Sequence, residues 1–271
     1  RHQYLAAHVA TLLDRGQLVL EVHAGGTRTD HGGHQLVAVE HATETGLGIR
    51  HDRREVIDEV GIARIGPFLP LRARHRFINQ WSRFAMWLDQ HLNRISVKIE
   101  GQEHLTDDPC VILANHQSSW ETFYLQLLIS PQATVLKREL LWIPFFGWGL
   151  ALLNPIRINR SDGKAALKSV LSQGKQRLNR GLRVVIFPEG SRQAPGTHGK
   201  FNHGGSMLAT QTGVPVIALT HNSGDCWPRK TWVRYPGTIT LRISPPIDTH
   251  NKKAKQVSAE AQQWIMEHYP G

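Results

Sequence analysis

The sequence predicts a layered α/β domain, a β-sheet flanked by helices, on the strength of three observations. Short apolar runs alternate with stretches in which apolar residues recur at three and four. Two of the runs, Cys110–Ala114 and Arg183–Phe187, end in polar clusters, as strands do when they deliver side chains to a crevice beyond their carboxyl ends. At 271 residues the chain can bury a full core, either as one large domain or as a domain plus an extension.

The first 65 residues are the least regular. Leu5–Leu13 reads as a helix, Leu18–Val22 as a strand and Ala24–Gly33 as a flexible loop. His23, His31 and His34 suggest a metal, but the Gly-Gly between His31 and His34 opposes a rigid helical face, so solvated loop histidines are expected. From Phe77 to Ile95 the residues Phe77, Ile78, Trp81, Phe84, Ala85, Leu88, Leu92 and Ile95 mark an amphipathic helix. Its aromatic stripe can pack on a core or dip into lipid. Strands follow at Val97–Gly101, 110–114, Thr134–Leu136, 183–187, Val214–Leu219 and Thr238–Ile243. Helices are predicted at Ser118–Leu128, Ala165–Leu178 and Ala259–His268.

Charge divides the chain. Residues 1–75 carry nine Arg, no Lys and nine acidic residues, whereas residues 76–271 hold 23 Lys+Arg against 13 Asp+Glu, so the whole net charge of +10 lies in the second part. The shift sets a boundary between an unassigned N-terminal extension, 1–70, and a basic domain, 71–271. The chain begins with Arg, and residues 1 to about 65 are expected to be a foreign, truncated or misread extension. A basic domain attracts phosphates. Nucleic acid is not the expected partner, because zinc-finger spacing, an aromatic RNA-binding signature and an uninterrupted basic helix are all missing. No Walker loop or dinucleotide fingerprint is present, and neither Cys110 nor Cys226 has a metal-ligand partner at a known spacing. Two cysteines make no disulfide framework and suit a reducing compartment. The longest apolar candidate, Leu140–Leu153, is broken by Pro144, Gly147 and Gly149 and is too short to span a bilayer. It is expected either to lie at a membrane surface through Trp142, Phe145, Phe146 and Trp148, or to be a buried helix-turn segment.

The chemistry is concentrated at the two strand ends. In Asn115-His116-Gln117-Ser118-Ser119-Trp120-Glu121, a histidine is followed five residues later by a carboxylate long enough to reach back to the imidazole. Such a partner fixes the tautomer and steadies the imidazolium, which makes His116 a candidate base. Pro188-Glu189-Gly190-Ser191-Arg192 supplies a breaker, a carboxylate, a flexible glycine and a guanidinium.

This pair of motifs resembles the glycerolipid acyltransferase family, specifically the 1-acylglycerol-3-phosphate acyltransferases. Ile156-Arg157-Ile158-Asn159-Arg160 between them and Val214-Pro215-Val216-Ile217-Ala218 after them fit the same pattern. The likeness extends over roughly Arg76 to Pro270. It implies a layered mixed β-sheet flanked by helices, of the glycerol-3-phosphate acyltransferase type. It also implies acyl transfer from acyl-CoA or acyl carrier protein to the free hydroxyl of 1-acyl-sn-glycerol-3-phosphate, giving phosphatidic acid at the cytoplasmic face of the cell membrane. His116 would be the base and Glu121 its orienting partner. Arg160 and Arg192 would hold the acceptor phosphate, with Glu189, Gly190 and Ser191 shaping its site; no cofactor and no metal would be needed.

Three positions depart from the pattern: Glu121 replaces an aspartate, Asn159 stands where an aspartate is frequent, and Asn202 stands where many members carry lysine. Two other readings stay open on the residues alone: an acyltransferase for another lysolipid or glycerol-3-phosphate, and a non-catalytic protein that binds anionic lipid.

Overall fold

The computed structural model describes residues 69–231 and 233–271. The predictions for the first 65 residues, including His23, His31 and His34, lie outside the described residues.

The chain enters through helix α1 (Leu71–Leu92) and strand β1 (Ile95–Glu100). Then come β2 (Val111–Ala114), α2 (Trp120–Leu128), β3 (Gln132–Lys137), a 3-10 turn (Arg138–Trp142), α3 (Phe146–Leu152), β4 (Ile156–Ile158) and α4 (Gly163–Leu178). The last elements are β5 (Arg183–Ile186), α5 (Gly204–Thr212), β6 (Val216–His221), the short α6 (Ser223–Cys226), β7 (Gly237–Ile243) and α7 (Ala254–Glu267). Seven strands form one sheet in the order β1-β7-β6-β2-β5-β3-β4. The five from β6 to β4 run parallel to their neighbours, β7 is antiparallel to β6, and β1 is parallel to β7. The sheet is mixed and carries helices on both faces, as expected.

Strand alternation builds two cores. Val111 and Leu113 of β2, Val184 and Ile186 of β5, and Val216 and Ala218 of β6 face α4, α5 and α7. Their neighbours Ile112, Ala114, Val185, Ile217 and Leu219 face the opposite way, toward Trp120 and Leu125 of α2 and Met86 of α1. Strands buried on both faces read as continuous apolar runs, which is why 110–114 and 183–187 stood out in the sequence.

The first two elements differ from the expectation, α7 starts five residues earlier than predicted, and α5 was not predicted. Ile95 belongs to β1 and not to the helix, and the helix starts earlier, at Leu71 behind Pro70, whose fixed φ suits a helix entry. The orientation of α1 is inverted for a core helix. It buries His75, Asn79, Ser82 and Asp89, while Phe77, Trp81, Phe84, Trp87 and Leu92 are exposed. Polar anchoring is added to the apolar packing of Leu71 and Met86: Asn79 Nδ2 donates to the Gln126 carbonyl at 2.8 Å and to Ser130 Oγ at 3.2 Å. Trp142 and Phe145 of the segment before α3 are exposed as well. Among the described residues, no helix is long and apolar enough to cross a membrane.

Candidate active site

Three strand ends converge. β2 delivers Asn115–Glu121, β5 delivers Phe187–Arg192, and β6, which pairs with β2, delivers Asn222 and Ser223. The crevice beyond parallel strands is where such a sheet collects functional groups.

Asn115 fixes the first loop. Its side chain donates to the His221 carbonyl at 2.9 Å and accepts from the His221 amide at 3.0 Å, so it continues the β2–β6 ladder after the strand has ended. His116 then turns inward, its ring stacked on Phe187 with centroids 4.4 Å apart. Nδ1 of His116 lies 2.6 Å from Oε1 of Glu121. The longer side chain of Glu121 spans the five-residue spacing without difficulty.

Glu121 is fully buried and heavily hydrogen bonded. Oε1 accepts from the backbone amides of Gln117 and Ser118 at 3.0 Å, and Oε2 accepts from Ser118 Oγ at 2.8 Å and Ser223 Oγ at 2.9 Å. Burial alone would push its pKa up. The hydrogen bond from His116, the charges of His221 and His116 and the Ser118 hydroxyl outweigh burial and hold it far below the usual carboxylate range. An ionised carboxylate only accepts, so the proton in the short contact sits on Nδ1 of His116. Nε2 is left with its lone pair, the state a base requires. Burial lowers the pKa of His221, beside this carboxylate, although Glu121 opposes the shift.

Glu189, which the resemblance assigns to the acceptor site, bonds to the main chain at the histidine. It is buried, and its Oε2 accepts from the His116 amide at 2.9 Å while Oε1 accepts from the Gly199 amide at 3.2 Å. Burial raises its pKa, against the pull of those two amides. The Gln193 amide donates to the His116 carbonyl at 2.7 Å, so the 188–199 loop clamps both backbone groups of the histidine. Gly190 takes a positive φ of 71°, which turns the chain sharply between Glu189 and Arg192. Ser191 is exposed, and its carbonyl and hydroxyl accept from Gln193 Nε2.

Arg160, just past β4, is exposed and lies within electrostatic reach of Arg192. The pKa of Arg160 is lowered first by desolvation and then by the positive charge of Arg192. Two guanidiniums close enough to repel create a place for a shared anion, and the forked donors of arginine suit a phosphate. Asn202, at the position often held by lysine, donates to the Pro188 carbonyl at 2.8 Å and closes the loop instead.

Ser223 was missed as a site residue. β6 is a third apolar strand running into a polar cluster, His221-Asn222-Ser223-Gly224, and the rule that singled out the first two clusters applies equally to it. Cys110 and Cys226 are free and buried, and burial pushes the Cys110 thiol up to about 11, which suits a packing role. Among the described residues, no cluster of three or more His, Cys, Asp or Glu could hold a metal.

A histidine–carboxylate pair at the carboxyl edge of this mixed sheet fits a protein of the acyltransferase class. A family model described as Acyltransferase matches residues 96–222. The chain is 46% identical over 207 residues to a 1-acyl-sn-glycerol-3-phosphate acyltransferase of Pseudomonas aeruginosa, covering 75% of this chain and 80% of that protein. It is 28% identical over 194 residues to one of Cocos nucifera, covering 71% of this chain and 61% of that longer protein. The crystal structure of the 1-acyl-sn-glycerophosphate acyltransferase of Thermotoga maritima superimposes with a TM-score of 0.60 at 25% identity, covering 71% of this chain and 77% of that one. The chain belongs to the glycerolipid acyltransferase family, and it is an enzyme.

Proposed function

We propose that the protein transfers an acyl chain from a thioester, acyl-CoA or acyl carrier protein, to the free hydroxyl of 1-acyl-sn-glycerol-3-phosphate, giving phosphatidic acid and a free thiol. The carrying observation is the 2.6 Å contact between His116 and the ionised, buried Glu121, which presents Nε2 as a base. The names of the Pseudomonas and Cocos relatives support the choice of acceptor. Nε2 of His116 takes the hydroxyl proton as the oxygen attacks the thioester carbonyl. The tetrahedral adduct then expels the thiolate, which receives the proton back from the imidazolium. Glu121 steadies that imidazolium throughout, and a positioned base of this kind contributes roughly 10²–10⁴ in rate. Arg160 and Arg192 bind the acceptor phosphate, and Gly190 and Ser191 form the turn that places Arg192. Glu189 holds the main chain of the base and, next to Gly190, shapes the acceptor site.

The enzyme works at a membrane surface as a peripheral protein. Support comes from the exposed row Phe77, Trp81, Phe84 and Trp87 on α1, with Trp142 and Phe145 as further outward aromatics. The test is a panel of lysolipid and glycerol-3-phosphate acceptors with both thioester donors, run on wild type and His116→Ala. Release of thiol dependent on 1-acyl-sn-glycerol-3-phosphate, lost in the variant, is expected. Near-wild-type transfer by His116→Ala would sink the mechanism, and preference for another acceptor would replace the substrate.

A further inference from the structure

We propose that the groove between α4 and α5 docks an acidic helix of a soluble carrier protein that delivers the acyl thioester. This rests on the acyl-transfer reading above and deepens it by assigning the donor.

Lys164, Lys168 and Lys175 line the groove, with Leu167 and Leu171 between them and Gln211 of α5 on the far wall. Positions 164, 168 and 175 fall on one face of a helix. At 1.5 Å per residue their ammoniums are spread over about 16 Å, the length of three helical turns on a partner. All three lysines are exposed. Charge complementarity is one-sided to an unusual degree. From residue 163 to residue 224 the only acidic residue is Glu189, and it is buried under His116. Asp162 caps α4 through the Ala165 amide just before Lys164, and within α4 and α5 themselves no acidic residue accompanies the row, whereas α7 carries Glu260 and Glu267 and pairs Glu260 with Lys252 at 2.7 Å.

Placement decides between an anionic membrane and an acidic protein. α4 and α5 cover one face of the sheet, and α2 with the Met86 part of α1, which carries Trp81, Phe84 and Trp87, covers the other, while Leu71 at the start of α1 reaches the first face. The exposed aromatics of α1 therefore lie on the far side of the sheet from the lysine row, and a flat bilayer cannot meet both. With α1 against lipid, the groove looks into water. It is also continuous with the chemistry. Leu167 lies against Gly204, where a Cβ would come within 3.4 Å of its side chain, and Asn202 two residues before is bonded to the Pro188 carbonyl beside Glu189. The row itself begins four residues after Arg160. A partner seated here holds its thioester arm at the mouth of the active site.

The experiment compares full-length wild type with a Lys164→Glu, Lys168→Glu, Lys175→Glu triple variant. Each is supplied with the same acyl chain on coenzyme A or on acyl carrier protein. With the carrier, kcat/KM is expected to fall at least about 10-fold in the variant and to fall with added salt in wild type, since exposed ion pairs are screened. With acyl-CoA the two proteins should agree within about twofold, which also shows that the variant is folded. Equal losses with both donors, no loss with the carrier, or no use of the carrier by wild type would overturn the proposal. Weaker sedimentation of the variant with phosphatidylglycerol vesicles would also overturn it and make the row a lipid contact. Failure of wild type to use acyl-CoA as well would instead overturn the acyl-transfer reading itself.

Discussion

Oε2 of Glu189 accepts the backbone amide of His116 at 2.9 Å, so the second motif of this family holds the first one in place. The carboxylate that follows Pro188 supports the base through its main chain, and its other oxygen gathers Gly199.

Replacing Glu189 by Gln leaves one oxygen for two amide donors and turns an NH2 toward one of them. An unsatisfied buried donor costs about 1–3 kcal/mol, equivalent to roughly 10–100-fold in rate if it falls on the transition state. The expected result in steady-state kinetics is a fall in kcat with the acceptor KM little changed. A raised KM at full kcat would assign Glu189 to the acceptor alone.

Ser118 and Ser223 act on Glu121 as a pair, because Ser118 Oγ also lies 3.0 Å from Ser223 Oγ. Ser118→Ala and Ser223→Ala should each lower kcat about 10–100-fold, of the order of one hydrogen bond to a charged group. In the double variant the effects should fail to add, with a coupling of at least about 0.5 kcal/mol. Strict additivity in the four-protein cycle would show that the hydroxyls serve Glu121 separately.

His75 predicts an acid sensitivity outside the active site. It is buried, and burial lowers its pKa from 6.5 to about 4, helped by Arg74 and opposed by the Leu153 backbone. The unfolded chain thus binds the proton first as pH falls. Stability is fully present above 6.5 and declines toward pH 4, by about 2–3 kcal/mol from this group. Urea midpoints of wild type at pH 7 and pH 4.5 should differ by more than those of His75→Leu, which lacks the titrating ring.

The aromatic row on α1 should govern partition and not folding. Trp81, Phe84 and Trp87 are each about half exposed, so a triple serine variant should move thermal stability by little, as surface changes usually do. Each aromatic withdrawn from lipid forfeits about 1.5–3 kcal/mol of burial. Binding to vesicles in a sedimentation assay should therefore fall at least about 100-fold, while turnover of a dispersed short-chain acceptor persists.

Much of the site was legible because its residues follow apolar strands closely. His116, Glu121, Arg160 and Arg192 each lie within a few residues of a strand end, and the strands declare themselves by unbroken apolar runs. The partner of Glu189 was not legible, since a contact between residues 116 and 189 depends on β2 and β5 being neighbours in the sheet. Helix α5 was missed for another reason. It opens with Gly204-Gly205, poor helix formers, yet a Cβ at Gly205 would come within 2.6 Å of Leu113 and 3.2 Å of Ile186. Close approach of helix to sheet demands the glycine that propensity counts against it. The strand β4 was read only as a motif block, because three residues are too few to show a period.

The inverted burial of α1 has a kinetic consequence. Because His75, Asn79, Ser82 and Asp89 are the buried side of the helix and Asn79 bonds it to Gln126 and Ser130, its oily side is turned outward before any lipid arrives. On the peripheral-membrane reading proposed above, an encounter with an interface then requires no rearrangement of α1 itself, so attachment and release can be as quick as diffusion and desolvation permit. A dilute, transiently visiting enzyme could sample many bilayers in the time that one conformational gate would take to open.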